Sequence, residues 1–495
     1  MPGFAKEWID PAGSRGADGW RILSPSSPSI AHSRFIRAIE CRSYSGNYLL
    51  APLAMGVALG DHLVEESLRQ NPVVVFGVDP REYQHFLGLI GVGLNARGVT
   101  TVNLDIATTA AVSQVTNILS ADLGMACTAS HSHHDHSGVK NLGSDGLRLS
   151  EEQEAQLCQL MSDAPMEFEP VSPEEEGQGI ALSRDLLDDW YVKGSLIKPC
   201  PVSLNGFGVV FDCAHGAAVR FAEQAFKGCD GQAASVFKDS YLSAPLNEPR
   251  INYQCGAIWA EDHPETYVSL INYHRAQVAF ATDGDGDRVT AIDPQGRVFT
   301  GEDFLYIIAL WLKSKGKLPD ATVVTNHQAN LGLEDSLEPL GVRIVRTPNG
   351  DRHLEETMWE QGFALGFEEG GNGLFNDGIH RAADGIWTSI LLSAIMVKTG
   401  CALKELTADF RRRIQLRSSV FLSFLPGQEA VAGQLSELDI IKSVERDGGR
   451  FLHWSSSTEA GKYRLLIEEP SNGSLARAQA ALAQAEKKLR ETALT

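Results

Sequence analysis

Apolar and polar positions follow two rhythms along this chain. Short unbroken apolar runs end in Gly or Asp, and longer stretches follow in which apolar residues return every three or four positions. VVVFGVD (Val73 to Asp79) reads as a buried strand, and PREYQHFLGLIGVGLNARG after it has helical spacing. Strand, small-residue turn and helix recur in GFGVVFDCAHGAAVRFAEQAF (Gly206 to Phe226) and in ATVVTNHQANLGLEDSLEPLG (Ala321 to Gly341), with RIVRTP as a next strand. Three such units, widely spaced, predict three similar α/β domains in series. The tail differs. RSSVFLSFL and RFLHWSSSTEAGKYRLLIEE predict a smaller sheet, which ARAQAALAQAEKKLRE would cover as an amphipathic helix. Expected domain bounds are 1–187, 188–296, 297–403 and 404–495, with the acidic, turn-rich VSPEEEGQG (Val171 to Gly179) as a surface excursion before the first.

Size and composition agree with this division. A chain of 495 residues exceeds what one hydrophobic core serves, and 43% hydrophobic with 21% charged residues is ordinary for a globular protein. The start, MPGFAKEWIDPAG, lacks the basic head and apolar run of a secretory leader. IWTSILLSAIMVKTG is too short to span a bilayer and predicts a buried helix, so no membrane partner is expected. Eight scattered cysteines without a C-x-x-C pair favour reduced thiols and a cytoplasmic address. A formal charge of −20 repels polyanions, which argues against nucleic acid. Small anions remain compatible, provided cations concentrate at their site.

Two stretches carry chemistry. VAFATDGDGDRVTAID runs a strand into Asp283, Asp285 and Asp287, spaced by glycines and followed by Arg288. Alternate carboxylates on a relaxed loop converge on one hard cation, and oxygen-only ligation suits Mg²⁺. An EF-hand fails, because its sixth loop position holds Arg288 and its twelfth Pro294. An acidic surface turn is the plainer alternative, but three like charges this close repel unless a cation joins them. The second stretch, TASHSHHDHSGVK (Thr128 to Lys140), has two readings. Its centre, with His131, His133, His134 and His136, fits the H-x-H-x-D-H-x-G zinc pattern of metallo-β-lactamase-type hydrolases. Its flanks fit a serine loop that carries a phosphoryl group.

Taken together, the motifs resemble those of the α-D-phosphohexomutase superfamily, in order and over nearly the whole length. Thr128-Ala129-Ser130-His131 with Gly138 and Lys140 is similar to its serine loop, T-A-S-H-N-P-x-x-x-N-G-x-K, and Asp283 to Arg288 to its metal loop, D-G-D-x-D-R. GADGWR (Gly16 to Arg21), Gly77-x-Asp79-x-Arg81, Asp212-x-x-His215-Gly216 and RTPNGDRHLEETM (Arg346 to Met358) resemble further family stretches, and Asp384 to Ile386 a D-G-I helix start. The resemblance implies an α/β fold of four domains, three similar mixed-sheet domains and a smaller C-terminal α+β domain, around a central cleft. It implies a phosphosugar mutase moving phosphate between C6 and C1, glucose or mannose phosphate by default. Ser130 would be the phosphoserine and a metal ligand beside Asp283, Asp285 and Asp287, with Mg²⁺ as cofactor. Arg21, Lys140, Arg288 and His131 would serve the transfer. Glu368, Gly370, Asn372, Arg352, Ser456 and Thr458 would bind substrate.

Recognition loops depart from the pattern. In the family's G-G-E-x-S-G-H, Ser becomes Gly370 and His becomes Asn372, while Glu368 stays. In R-x-S-G-T-E-P, Trp454 stands at the arginine and Ser457 at the glycine, while Ser456, Thr458 and Glu459 hold; Lys462 or Arg464 would substitute as cations. Since Ser130 and the aspartates are intact, the expectation is an active enzyme with a shifted substrate. The alternatives are an inactive mutase-like regulatory protein and, behind it, the zinc hydrolase.

Overall fold

The computed structural model describes residues 15–16, 19–23, 47–81, 84–132, 136–163, 176–237, 251–421, 435, 438–455, 462–470 and 472–492. Apolar runs become the central strands. In the first sheet these are β3 (Val73–Val78), β4 (Thr100–Ile106) and β5 (Leu123–Cys127), parallel to one another, with β7 (Gly179–Ala181) parallel to β4. β1 (Arg15–Gly16), β2 (Gly19–Leu23) and β6 (His136–Leu142) extend the other edge antiparallel, giving the order β1-β2-β6-β5-β3-β4-β7.

The second sheet repeats the plan. β8 (Gly208–Asp212), β9 (Gln232–Val236) and β10 (Val278–Thr282) are parallel; β11 (Val289–Ile292) and β12 (Val298–Phe299) turn back antiparallel. β12 carries this sheet beyond the expected bound at 296. The third sheet has β13 (Thr322–Asn326), β14 (Arg343–Thr347) and β15 (Leu365–Phe367) parallel and β16 (Gly373–Phe375) antiparallel. The fourth is wholly antiparallel, β17 (Ile414–Phe421), β19 (Lys462–Glu469) and β18 (Arg450–Ser455) in that order. The Leu475–Thr492 helix covers it through Ala478, Ala481, Ala485 and Leu489, all fully buried. This is the α/β architecture expected, three mixed sheets and a smaller α+β unit.

One apolar core runs through the first three units, from Val75 and Val102 through Phe211 and Phe280 to Phe304, Val323 and Ile390. The apolar stretch read as a buried helix is the Gly385–Thr399 helix, capped by Asp384 accepting from the Trp387 amide at 2.9 Å. A π-helical strut, Asp188–Ile197, crosses between units. Its buried Tyr191 accepts from Thr108 Oγ1 at 3.2 Å and donates to Asp384 Oδ2 at 2.9 Å, tying first domain to third. The fourth unit docks on the third. Arg413 grips Asp335 with two bonds of 2.6 and 2.8 Å, and Arg450 donates to the His327 and Ala329 carbonyls at 2.7 and 2.9 Å.

In each of the first three units, one loop joins the last central parallel strand to its antiparallel neighbour. These loops are 128–135 between β5 and β6, 283–288 between β10 and β11, and 368–372 between β15 and β16. Ligands of open α/β sheets gather outside the carboxyl ends of such strands. The three loops with chemical interest are therefore topological equivalents.

Candidate active site

The serine loop is held from several directions. Thr128 Oγ1 donates to Asp79 Oδ2 at 2.7 Å and accepts the Ser130 amide at 2.8 Å. Arg81 pairs with Asp79 at 2.8 Å, then donates to the Ser130 carbonyl at 2.5 Å and the Ser132 carbonyl at 3.0 Å. Asn252 Nδ2 adds a second donor to the Ser130 carbonyl at 2.8 Å. These grips hold Ser130 in the left-handed region, φ 51°, which a side chain with a Cβ rarely adopts. Its buried hydroxyl donates to Asp283 Oδ2 at 2.6 Å. His131 Nδ1 lies 3.3 Å from the same Oγ.

Opposite stands the aspartate loop. Asp283, Asp285 and Asp287 are buried, and one ligand oxygen from each lies within 4.8 Å of the others. Lys140 Nζ, itself 1% exposed, reaches Asp285 at 2.8 Å and Asp287 at 2.5 Å. Thr109 Oγ1, in the first turn of the Thr109–Leu119 helix, donates to Asp285 Oδ2 at 2.5 Å. Burial, then the neighbouring Asp285 charge, lifts the Asp283 carboxyl to about 6 and that of Asp287 well above the ordinary range. For Asp285 burial acts in the same direction but is outweighed, chiefly by Lys140, and its carboxyl is lowered. Asp285 Oδ1 and Asp287 Oδ1 are buried and accept no hydrogen bond. Unsatisfied carboxyl oxygens on converging aspartates are the donor set of a hard divalent cation, so these residues fit a metal ion. Among the described residues no other group of three His, Cys, Asp or Glu side chains is close enough to share one.

The third loop is stitched to the second. The Val289 amide donates to the Gly371 carbonyl at 3.3 Å, and the Gly385 amide to the Gly286 carbonyl at 2.9 Å. Arg288 lies across Gly370, where an added Cβ would meet its Nη1 at 2.9 Å. A side chain at Gly370 would have to move the guanidinium, the far end of a flexible side chain, aside. Glu368 Oε1 accepts from Asn326 Nδ2 at 3.1 Å and the Gly350 amide at 2.8 Å. Burial, then the adjacent Glu369 charge, raises its carboxyl to about 8. Asn372 is buried, its Oδ1 accepting no bond.

Ser130, His131, Lys140, Arg288, the three aspartates and loop 368–372 lie together. Arg352 is placed elsewhere, pairing with Glu154 at 3.3 Å where the Asp351–Gln361 helix meets the first domain. Arg21 lies on β2, its backbone in register with Gly138. Ser456 and Thr458 fall outside the described residues, as do His133 and His134. Asp79 and Arg81, which the motifs name without a task, hold the serine loop, and Thr109 and Asn252 join the site from outside every motif. No local pattern marks those two, since they act on residues 176 and 122 positions away.

Comparison with known proteins shows the family. Residues 50–166 match phosphoglucomutase/phosphomannomutase alpha/beta/alpha domain I, and residues 300–413 match domain III of the same family. The phosphoglucosamine mutase of Bacillus licheniformis is 31% identical, over 84% of this chain and 90% of that protein. That of Cereibacter sphaeroides is 32% identical, over 90% of this chain and 92% of its own. A phosphoglucomutase/phosphomannomutase family protein from Burkholderia thailandensis shares the fold with a TM-score of 0.72, at 20% identity, covering 95% of this chain and 96% of that one. The open form of Paramecium parafusin, a phosphoglucomutase, superposes with a TM-score of 0.68 at 17% identity, covering 98% and 95%.

Proposed function

Because the chain belongs to the α-D-phosphohexomutase superfamily and is on that account a phosphosugar mutase, we propose that it moves phosphate between C6 and C1 of a hexose or hexosamine phosphate through phosphorylated Ser130. The observation that carries this reading is the 2.6 Å approach of the Ser130 hydroxyl to Asp283, inside a buried acid cluster matched by Lys140.

In the first half-reaction a free sugar hydroxyl oxygen bonds to phosphorus as the bond from phosphorus to Ser130 Oγ breaks. The hydroxyl's proton is given up and a proton is taken by Oγ. His131 Nδ1 is the ring nitrogen placed to exchange that proton. The bisphosphate turns within the site, and Ser130 Oγ then takes its other phosphate while a proton returns to the sugar. Asp283, Asp285 and Asp287 would hold Mg²⁺, which when bound supplies charge neutralisation for the transferring group. Lys140 keeps the acid loop compact, and Arg288, folded over Gly370, carries positive charge between the acid loop and the sugar loop. With its carboxyl at about 8, Glu368 meets the sugar as a neutral acid at pH 7, able to donate as well as accept. Arg21 is assigned with them to the transferring group, and Ser456 and Thr458 to the distal phosphate.

Glucosamine phosphate heads the substrate panel, because the relatives at 31 and 32% identity are phosphoglucosamine mutases. Glucose and mannose phosphates follow. Assay of the panel with a trace of the matching bisphosphate and Mg²⁺ should give interconversion that Ser130→Ala abolishes. A wild-type protein inert on every member would return the reading to the regulatory alternative.

A further inference from the structure

Outside this site the strut and the next helix bring two sulfurs together. Cys200 follows the Asp188–Ile197 strut, its amide donating to the Ile197 carbonyl at 3.0 Å and its thiol to the Val202 carbonyl at 3.1 Å. Cys229 caps the Ala222–Gly228 helix, and its carbonyl accepts the Leu204 amide at 2.7 Å. Cys229 Sγ reaches the Leu196 carbonyl at 3.9 Å, in the last turn of the strut, so the two thiols meet at one junction and influence each other's titration. Gly228 permits this approach, since a Cβ there would come within 2.1 Å of Ile197 Cδ1. Cys200 is half-buried while Cys229 is 5% exposed, so an attacking sulfur is reachable and a resolving one is sheltered beside it.

We propose that Cys200 and Cys229 form a reversible disulfide under hydroperoxide, bracing the end of the strut to the Ala222–Gly228 helix. The Cys200 thiolate attacks one peroxide oxygen; the O–O bond breaks, sulfenic acid forms, and the departing hydroxide becomes water. Cys229 sulfur then attacks the sulfenic sulfur, the S–O bond breaks, and hydroxide leaves with the Cys229 proton as a second water. Two thiols and one peroxide yield one disulfide and two waters. The neighbouring Cys229 thiol, outweighing burial, lowers the Cys200 thiol to about 7, so thiolate is present at neutral pH. Among the other described cysteines, Cys127, Cys213 and Cys255 are buried; Cys401 is half-buried.

What the brace holds is the strut whose Tyr191 ties Thr108 of the first domain to Asp384 of the third. The test is mild hydrogen peroxide treatment of the full-length protein, followed by non-reducing peptide mapping. Expected is a dithiothreitol-sensitive peptide pair joining 200 to 229, with the loss of two hydrogens, and a thermal midpoint that rises on oxidation and falls back on reduction. Cys200→Ser should abolish the pair and the shift; Cys229→Ala checks the same link from the other side. Peroxide that leaves both thiols alkylatable, or that stops at sulfenic or sulfinic acid on Cys200, overturns the proposal.

Discussion

At the level of single residues, the site depends on charges that cannot stand alone. Lys140 is fully buried between Asp285 and Asp287, and removing one partner of such a group costs about 3–5 kcal/mol. Lys140→Met should therefore lower the unfolding midpoint strongly in metal-free buffer and reduce turnover by about 10²–10⁴. Mg²⁺ should recover much of the stability, because a divalent ion neutralises the same carboxylates. A drop in the midpoint that Mg²⁺ leaves unchanged would contradict the assignment of the aspartates. Gly370→Ser makes a milder test. It restores the family's residue but meets the Arg288 guanidinium, so KM should rise with little change in the midpoint, whereas an unchanged KM would separate Arg288 from substrate. Single residues were also where the sequence spoke most clearly. Ser130 and the aspartates sit in contiguous motifs whose spacing is itself chemical. Thr109 and Asn252 carry no such mark, because their partners meet them only after the domains assemble.

Among the elements, the Asp351–Gln361 helix shows how a charged junction responds to pH. Arg148 donates its amide to Glu355 Oε1 at 2.6 Å, and Arg148 also faces Asp351 at 3.8 Å. Burial raises the Glu355 carboxyl to about 8, above its ordinary value, so folding takes up a proton there. The stabilisation linked to that proton is complete below the ordinary carboxylate value and is lost as pH rises through about 8. Glu355→Gln keeps an acceptor for the Arg148 amide without the charge. Differential scanning at about pH 5 and about pH 9 should find variant and wild type close at the lower pH and the variant higher at the upper. Equal midpoints at the upper pH would contradict it. Strands and helices were legible where apolar period and turn residues agreed, as at Val73–Val78 and Gly385–Thr399. The π-helical strut was not: DDWYVKGSLI has no marked apolar stripe, and its conformation answers to Thr108 and Asp384, residues of other domains.

Across the whole molecule, three equivalent loops converge because three similar sheets were placed in series, and the fourth unit is fastened to the third by Arg413 and Arg450. Arg450 also pairs with fully buried Glu468 at 2.8 Å. Arg450→Ala should loosen the fourth unit as a body, increasing hydrogen exchange in β17 and β19 while exchange in the first sheet is unchanged. Exchange unchanged there would mean that the docking rests on other contacts. This level was legible in outline only. Repeated βα units gave the series, but the interdomain ion pairs join residues whose local sequence announces nothing, Arg148 with Asp351 and Arg352 with Glu154 among them. No helix among the described residues is long and apolar enough to cross a membrane, in line with the short apolar run at 386–400.

The central claim is that Ser130 carries the phosphoryl group, and the direct measurement is the site of covalent phosphate after brief exposure to a hexose 1,6-bisphosphate with Mg²⁺. The account predicts phosphate on the peptide containing Ser130, discharged by added sugar monophosphate and missing from Ser130→Ala. Covalent phosphate on another residue, or none at all in a protein that still interconverts sugar phosphates, would contradict it.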